Sequence, residues 1–327
     1  MTRTTAEPKI KLSKWRRVRR FLFSLAAALL AFVGGYWLWF THRALPASVD
    51  KDLFDGVHYR REIRNSPRPL VIHVVTVDLT NPNVSFLVTP GNPNALMPLK
   101  AQTTSQFREN YGVQIAVNGD YFFPYHSHTI LDYYPHVGDP VEVEGVSASR
   151  GVAYGEKSAI KQDFPTLYIS RDNQAEFAAP KGRRPTRNVY NAISGLVMLL
   201  RNGINVAPRP EHDALEPCAA LALNRERTKL YIVMTDGRQP NYSEGTTLWE
   251  FAEIIRGFGG YNALDLDGGG SEALVTQAKN GKTLVLNAPL DAHIPGRERA
   301  VANHFGVFAK PLKSGGAFRI EERSAPR

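Results

Sequence analysis

The sequence predicts an α+β domain, built on mixed β-sheets with flanking helices and preceded by one N-terminal transmembrane helix. Three observations carry that prediction. A basic segment runs straight into twenty uncharged residues, short Val- and Ile-rich runs recur through the rest of the chain, and two later stretches place apolar residues at helical spacing.

Residues 1–20 hold eight basic side chains, Arg3, Lys9, Lys11, Lys14, Arg16, Arg17, Arg19 and Arg20, against the single acid Glu7, and so account for seven of the nine net positive charges. The remainder is close to neutral and lacks the basic footprint of a nucleic-acid binder. Residues 21–40 carry no charge, with Ser24 the one clearly polar side chain, and twenty helical residues at about 1.5 Å each span a hydrocarbon core of about 30 Å. Tyr36, Trp37, Trp39 and Phe40 crowd the far end, where a span meets the headgroups. The positive-inside rule keeps the N-terminus in the cytoplasm and places everything after Thr41 outside, in a periplasmic or extracellular space. A cleaved signal peptide has an apolar core of about 7–15 residues and small residues at its cleavage site. This run is longer and ends Trp37-Leu38-Trp39-Phe40, which favours an uncleaved anchor in the cytoplasmic membrane. Cys218 is the only cysteine, so no intramolecular disulfide forms, and it reads as a small buried hydrophobe.

Residues 41–54 read as a linker, 55–309 as the folded domain and 310–327 as a frayed tail rich in Ser, Gly and charge. Within the domain, β-type runs occur at Val71–Leu79, Val84–Val88, Val113–Val117, Leu167–Ile169, Leu196–Leu200, Ala219–Leu223, Leu230–Met234, Ala263–Leu266 and Phe305–Phe308. Thr103–Tyr111 is a modest helix candidate. Leu248–Phe258 is a strong one, with Leu248, Phe251, Ala252, Ile255 and Phe258 on one face, Thr246 or Thr247 as N-cap and Gly259-Gly260 as stop. No repeat of fixed period is present, which argues against solenoids and propellers.

The chemistry concentrates where three strands end in polar and glycine-rich loops. The run Ala263–Leu266 delivers Asp265 and Asp267 to one side, two residues apart, and breaks into Gly268-Gly269-Gly270 before Ser271 and Glu272. Consecutive glycines let backbone N–H groups converge on an anion. The run ending at Met234 leads into Thr235-Asp236-Gly237-Arg238, and the run ending at Val117 leads into Asn118-Gly119-Asp120-Tyr121-Phe122. Each alone is most simply a turn. Together they suit one site presented by a rigid sheet.

In order along the chain stand Asp55-Gly56-Val57-His58-Tyr59, Val117–Phe122, Asn191-Ala192-Ile193-Ser194-Gly195, Thr235–Arg238, the helix at Leu248–Phe258, Leu266–Ser271, and Glu298-Arg299 with Asn303. This series resembles the phosphodiester glycosidase family over roughly Asp55 to Ala309; the family includes bacterial proteins associated with exopolysaccharide. The resemblance implies hydrolysis of a glycosidic or sugar-1-phosphodiester bond in envelope or exopolysaccharide glycans, with a carbohydrate or sugar phosphate as substrate and no cofactor. Two departures stand out. Pro217-Cys218-Ala219-Ala220 lies where the family commonly has Pro-Arg-Thr-Ala, and Ser271-Glu272-Ala273 lies where two hydroxyl residues usually follow the glycines. A lost arginine implies a less anionic linkage, or a fold that binds glycan without cleaving it.

Expelling a phosphate monoester from the anomeric carbon needs little proton donation, so such a site requires cations for the phosphate and a carboxylate for the oxocarbenium-like transition state. On that logic Asp267 is the principal carboxylate, Asp236 its partner, and Asp265 and Glu272 alternates. Substrate contacts fall to Asn118, Gly119, Asp120, Tyr121, Arg238, Gly268, Gly269, Gly270, Ser271, Glu298 and Arg299. A phosphate-free glycan would need two carboxyl groups, Asp236 with Asp267 or Glu272. Tyr121–His136, dense in aromatics and histidines, reads as a glycan-binding rim. Its His126, His128, Asp132 and His136 also raise a metal-dependent phosphodiesterase as a third possibility, but without a supporting second cluster no metal is expected. Arg183, Arg184 and Arg187 read as a solvated basic loop.

Overall fold

A computed structural model of the chain describes residues 11–129, 131–154, 164–178, 188–209 and 215–312; the Arg183–Arg187 cluster lies outside the described residues. Helix α1, Lys11–Thr41, contains the apolar stretch, and Trp15–Thr41 is long and apolar enough to cross a membrane. Its large apolar side chains stand exposed, among them Trp37 at 61% and Trp39 at 54%.

The principal sheet has eight strands in the spatial order Val49–Phe54, Val57–Arg64, Leu70–Asp78, Lys229–Thr235, Cys218–Leu223, Asn262–Asp265, Met198–Arg201 and Ile204–Asn205, each ladder antiparallel. Residues 41–54 are therefore more than a lead-in. Val49–Phe54 forms the edge strand, and its mixed charges suit a position with one neighbour and a largely wet face.

A second sheet of five strands orders Thr283–Val285, Leu274–Gln277, Ile115–Asn118, His304–Phe308 and Ser85–Val88. A third, also of five, orders Val152–Tyr154, Ser147–Ser149, Asn191–Ser194, Thr166–Ile169 and Ala175–Ala178. These three sheets enclose one core, to which the principal sheet gives Val75, Leu221, Ile232 and Leu264, the second Ile115, Val117 and Phe305, and the third Leu167 and Ile193. Alternate residues of the same principal strands, Val74, Ala220, Ala222, Val233 and Ala263, point the other way and bury a second layer. Burial on both faces is why Val71–Val77 reads as a nearly unbroken apolar run.

That second layer is closed by α3, Leu248–Gly257, through Phe251, Ala252, Ile254 and Ile255. Of the two threonines that could cap it, Thr247 does so: its side chain accepts the Glu250 N–H while the Glu250 side chain accepts the Thr247 N–H. Helix α2, Thr104–Tyr111, uses the same device with Thr103 and Gln106 and ends on Gly112 at φ 67°. The α+β architecture with flanking helices thus holds, while strand ends shift by at most two residues from their apolar runs.

Truncating Phe251, fully buried between α3 and the sheet, to alanine is expected to cost about 3–5 kcal/mol. Thr247→Ala is expected to cost about 1 kcal/mol through the lost cap. Urea titration of the detergent-solubilised chain measures both, and equal costs would contradict the packing described.

Candidate active site

Three strands of the principal sheet bring their functional ends together. In the antiparallel ladders Cys218 lies opposite Thr235 and Ala220 opposite Asp265, so the loops after Thr235 and Asp265 and the segment before Cys218 meet at one end of the sheet. There they border a cavity of about 510 Å³, lined by Asp265, Asp267, the three glycines, Arg238, Arg299 and Tyr121, together with Glu216, Cys218 and the start of α3. That volume suits a small-molecule or sugar ligand.

Asp265 and Asp267 do reach the same cavity. Asp265 is 2% exposed; its carboxylate accepts the Val197 N–H at 2.7 Å, and the Tyr121 hydroxyl donates to it at 3.4 Å. Burial pushes its pKa up to about 7, against the pull of those donors. Asp267 is half-buried, and burial raises it to about 6, opposed by the Ser271 hydroxyl and the Arg299 guanidinium. The backbone of Asp267 is fixed from the second sheet. Its N–H donates to the Gly119 carbonyl at 2.9 Å, and its carbonyl accepts from the Asn118 amide at 2.6 Å.

The glycines act differently from the anion nest expected of them. The Gly268 N–H turns to the carboxylate of Asp267, and the Gly269 N–H donates to the Pro217 carbonyl at 3.1 Å. What the missing side chains provide is room for cations. A Cβ on Gly270 would stand 2.3 Å from Arg299 Nη2, and one on Gly269, where φ is 61°, would stand 3.2 Å from Arg238 Nη2. Arg299 is braced by Asp291 at 2.8 Å and Ser271 at 3.0 Å, and it lies over the Tyr125 ring at 4.6 Å. Arg238 pairs with Glu216 at 2.5 Å. Positive charge in the cavity therefore comes from two guanidinium groups rather than from backbone amides.

Several expected site residues stand behind the wall. Asp236, 1% exposed, is not among the lining residues. One of its oxygens lies 3.2 Å from His73 Nε2, the other accepts the Ala288 N–H at 2.9 Å, and His73 Nδ1 meets the Tyr59 hydroxyl at 2.9 Å. This buried chain holds the loop that carries Arg238. Glu272, 2% exposed, is also off the wall, and desolvation drives its pKa well above the ordinary carboxylate value, against the pull of Arg238. Asn118, Gly119 and Asp120 are structural: Asn118 clamps Asp267 and Ala273, and Asp120 accepts the Gly145 N–H at 3.1 Å. Ser271 orients Arg299 and Asp267 from below. Glu298 lies elsewhere, accepting the Ser105 N–H at 2.9 Å and the Ser105 hydroxyl at the start of α2. A period-two and motif reading identifies a carboxylate near a loop; whether it faces the cavity depends on partners distant in sequence.

The aromatic segment supplies Tyr121 and Tyr125 to the wall. Its remainder folds into the small hairpin His126–Ser127 with Tyr133–Tyr134. There His126 pairs with Asp132 at 3.5 Å and His136 with Asp139 at 3.3 Å, and among the described residues no three such ligands converge. Sequence reasoning missed Glu216 and the α3 start as wall elements. Glu216 reaches the wall through an isolated bridge to Thr246, a pairing without periodicity. Cys218, where the family's arginine is expected, is 4% exposed with its sulfur 3.5 Å from the Glu216 carbonyl; burial raises the thiol's pKa and leaves it protonated.

The geometry and the sequence agree on a family. The phosphodiester glycosidase family model matches residues 111–308, and the chain belongs to that family. Among its relatives, the human N-acetylglucosamine-1-phosphodiester alpha-N-acetylglucosaminidase is 26% identical over 206 residues, covering 58% of this chain. The mouse enzyme of the same name is 25% identical over the same length. The chain spans only 37% of the length of these curated relatives. Its fold is that of the catalytic domain of the zebrafish enzyme, solved in a form auto-inhibited by its pro-peptide: TM-score 0.56, 20% identity, 83% of this chain and 86% of that one covered.

Because Asp265 is raised to about 7, its burial is tolerated below its unfolded pKa of about 3.9 and becomes costly as pH rises through 7. Asp265→Asn is therefore expected to raise the melting temperature at pH 8 relative to wild type and to change it little at pH 4. Thermal unfolding at the two pH values measures this, and a larger gain at pH 4 would reverse the assignment.

Proposed function

We propose that the chain is a membrane-anchored extracytoplasmic hydrolase that cleaves a sugar 1-phosphodiester in envelope or exopolysaccharide glycans. The observation that carries this reading is the half-buried Asp267 at the base of a cavity whose two cations are Arg238 and Arg299. The arginines bind the phosphate of the scissile diester and offset the charge it gains on leaving. Asp267, ionised above about pH 6, stabilises the oxocarbenium-like carbon as nucleophile or as base for the attacking water. Asp265, raised to about 7, retains a proton through much of the neutral range and supplies the acid that a poorer leaving group would need. Tyr121 and Tyr125 offer apolar ring faces to the sugar. Asp236, expected as the partner carboxylate, becomes a positioning residue for the Arg238 loop. Export follows from the charge asymmetry about α1.

A second reading, glycan binding without cleavage, draws on Cys218 in place of an arginine and on the Glu216 carboxylate that partly neutralises Arg238.

Hydrolysis of an N-acetylglucosamine 1-phosphodiester and of a phosphate-free N-acetylglucosaminide, with and without chelator, separates these readings. Wild type is expected to prefer the phosphodiester and to ignore the chelator, with kcat/KM rising as pH passes about 6. Asp267→Ala is expected to lower kcat by about a hundredfold or more. Arg238→Ala is expected to lower kcat/KM for the phosphodiester by about tenfold or more and to spare the neutral glycoside. Tight binding of either compound by folded wild type without turnover would establish the second reading instead.

A further inference from the structure

The end of α1 does not hang free of the domain. The Asn241 amide donates to the Thr41 carbonyl at 3.0 Å, and Thr41 itself is buried. The Arg43 guanidinium donates to the Gln239 side chain and lies over the Tyr242 ring at 4.3 Å. Gln239 passes the contact inward, its amide donating to the Ala288 carbonyl at 3.0 Å, next to the N–H that holds Asp236. The loop that receives the anchor is thus the loop that carries Arg238 to the cavity.

Magnitudes then set the height of the cavity. The uncharged run of residues 21–40 fills a hydrocarbon core of about 30 Å, so Thr41 stands at its outer boundary. The headgroup layer beyond it is about 5–8 Å thick. Arg238 is three residues from Asn241, a chain path of at most about 11 Å. The Arg238 backbone is thus within about 11 Å of the residue that docks the end of α1, a distance comparable to the depth of the headgroup layer. Pro208, on the cavity wall, also borders a second cavity of about 390 Å³ lined by Pro165, Leu196, Val197, Met198 and Val206, with Arg201 its one charged side chain. Leu196 and Val206 are each 42% exposed and Ile204 66%, an apolar flank beside the site.

We propose that the cavity faces the bilayer and that its substrate is a lipid-linked sugar phosphodiester, with the phosphate held by Arg238 and Arg299 in the outer headgroup layer and the lipid chain leaving along the Pro208 flank. This placement rests on the anchored-hydrolase reading above. In the reaction a water oxygen bonds to the anomeric carbon as the bond from that carbon to the phosphate oxygen breaks. The water proton passes to Asp267, and the lipid remains in the membrane as its phosphate monoester.

The full chain in vesicles tests this with two readouts. The first is a fluorophore on Pro208→Cys, the native Cys218 being buried and protonated, challenged with lipids carrying a nitroxide on the headgroup. The second is hydrolysis of one sugar 1-phosphodiester in two forms, esterified to a long-chain lipid alcohol within the vesicle or to methanol in solution. Strong quenching and at least about tenfold faster cleavage of the lipid form at equal bulk concentration are expected, because confinement at the surface raises the local concentration. The double variant Arg43→Ala with Asn241→Gly, which keeps the left-handed backbone at 241 (φ 60°), should lose the quenching and the lipid preference while cleaving the soluble diester as before. An unquenched wild-type probe, or equal cleavage of the two forms, overturns the proposal. A quenched probe with neither form cleaved upholds the placement and overturns the hydrolytic reading.

Discussion

The site depends on one cross-sheet clamp. Asn118, at the end of a strand in the second sheet, uses its side chain to hold the Asp267 carbonyl and the Ala273 N–H, while the neighbouring Gly119 carbonyl takes the Asp267 N–H. The loop between Asp265 and Leu274 is thereby tied at both ends to a sheet other than the one it leaves. Gly119 has no freedom to carry a side chain, since a Cβ there would stand 2.2 Å from the Asn303 side chain. The Gly119 and Asp120 N–H groups are likewise taken up by the Asn303 carbonyl and side chain, which helps this loop run through the interior.

From that clamp the electrostatics follow. Gly269 and Gly270 leave space that the guanidinium groups of Arg238 and Arg299 occupy, while Gly268 makes room for the Pro217 carbonyl, so the cavity is positive where the backbone is bare and acidic where Asp265 and Asp267 enter it. Burial raises both carboxyl groups, to about 7 and about 6, and places their titration within the range where enzymes do acid and base work. Asp236 sits one layer deeper, saturated by His73 and Ala288. It fixes the loop on which Arg238 stands and against which the end of α1 packs.

The family resemblance gains its physical content here. The strand-end motifs mark the cross-sheet junction as much as the reacting groups: Asn118, Gly119 and Asn303 build it, and Gly269 and Gly270 clear space beside it that Arg238 and Arg299 fill. Cys218 lies on the cavity wall where the resemblance implies an arginine, and Glu216 pairs with one of the two guanidinium groups there.

The sequence by itself determined the elements whose cause is local or periodic. These are the apolar span with its basic flank, the doubly buried strands at Val71–Val77 and Leu230–Met234, the capped helix at Leu248, and the motif loops around Asp267. Edge strand Val49–Phe54 escaped notice because its pairing partner, not its composition, makes it a strand. Tertiary structure alone decided which of four candidate carboxyl groups face the cavity, because that choice rests on His73, Ala288, Val197 and Asn118, which lie 52 to 163 residues from the groups they hold. It also decided that the glycines admit arginines rather than anions, since a glycine reports freedom at its own position and is silent about what fills the space.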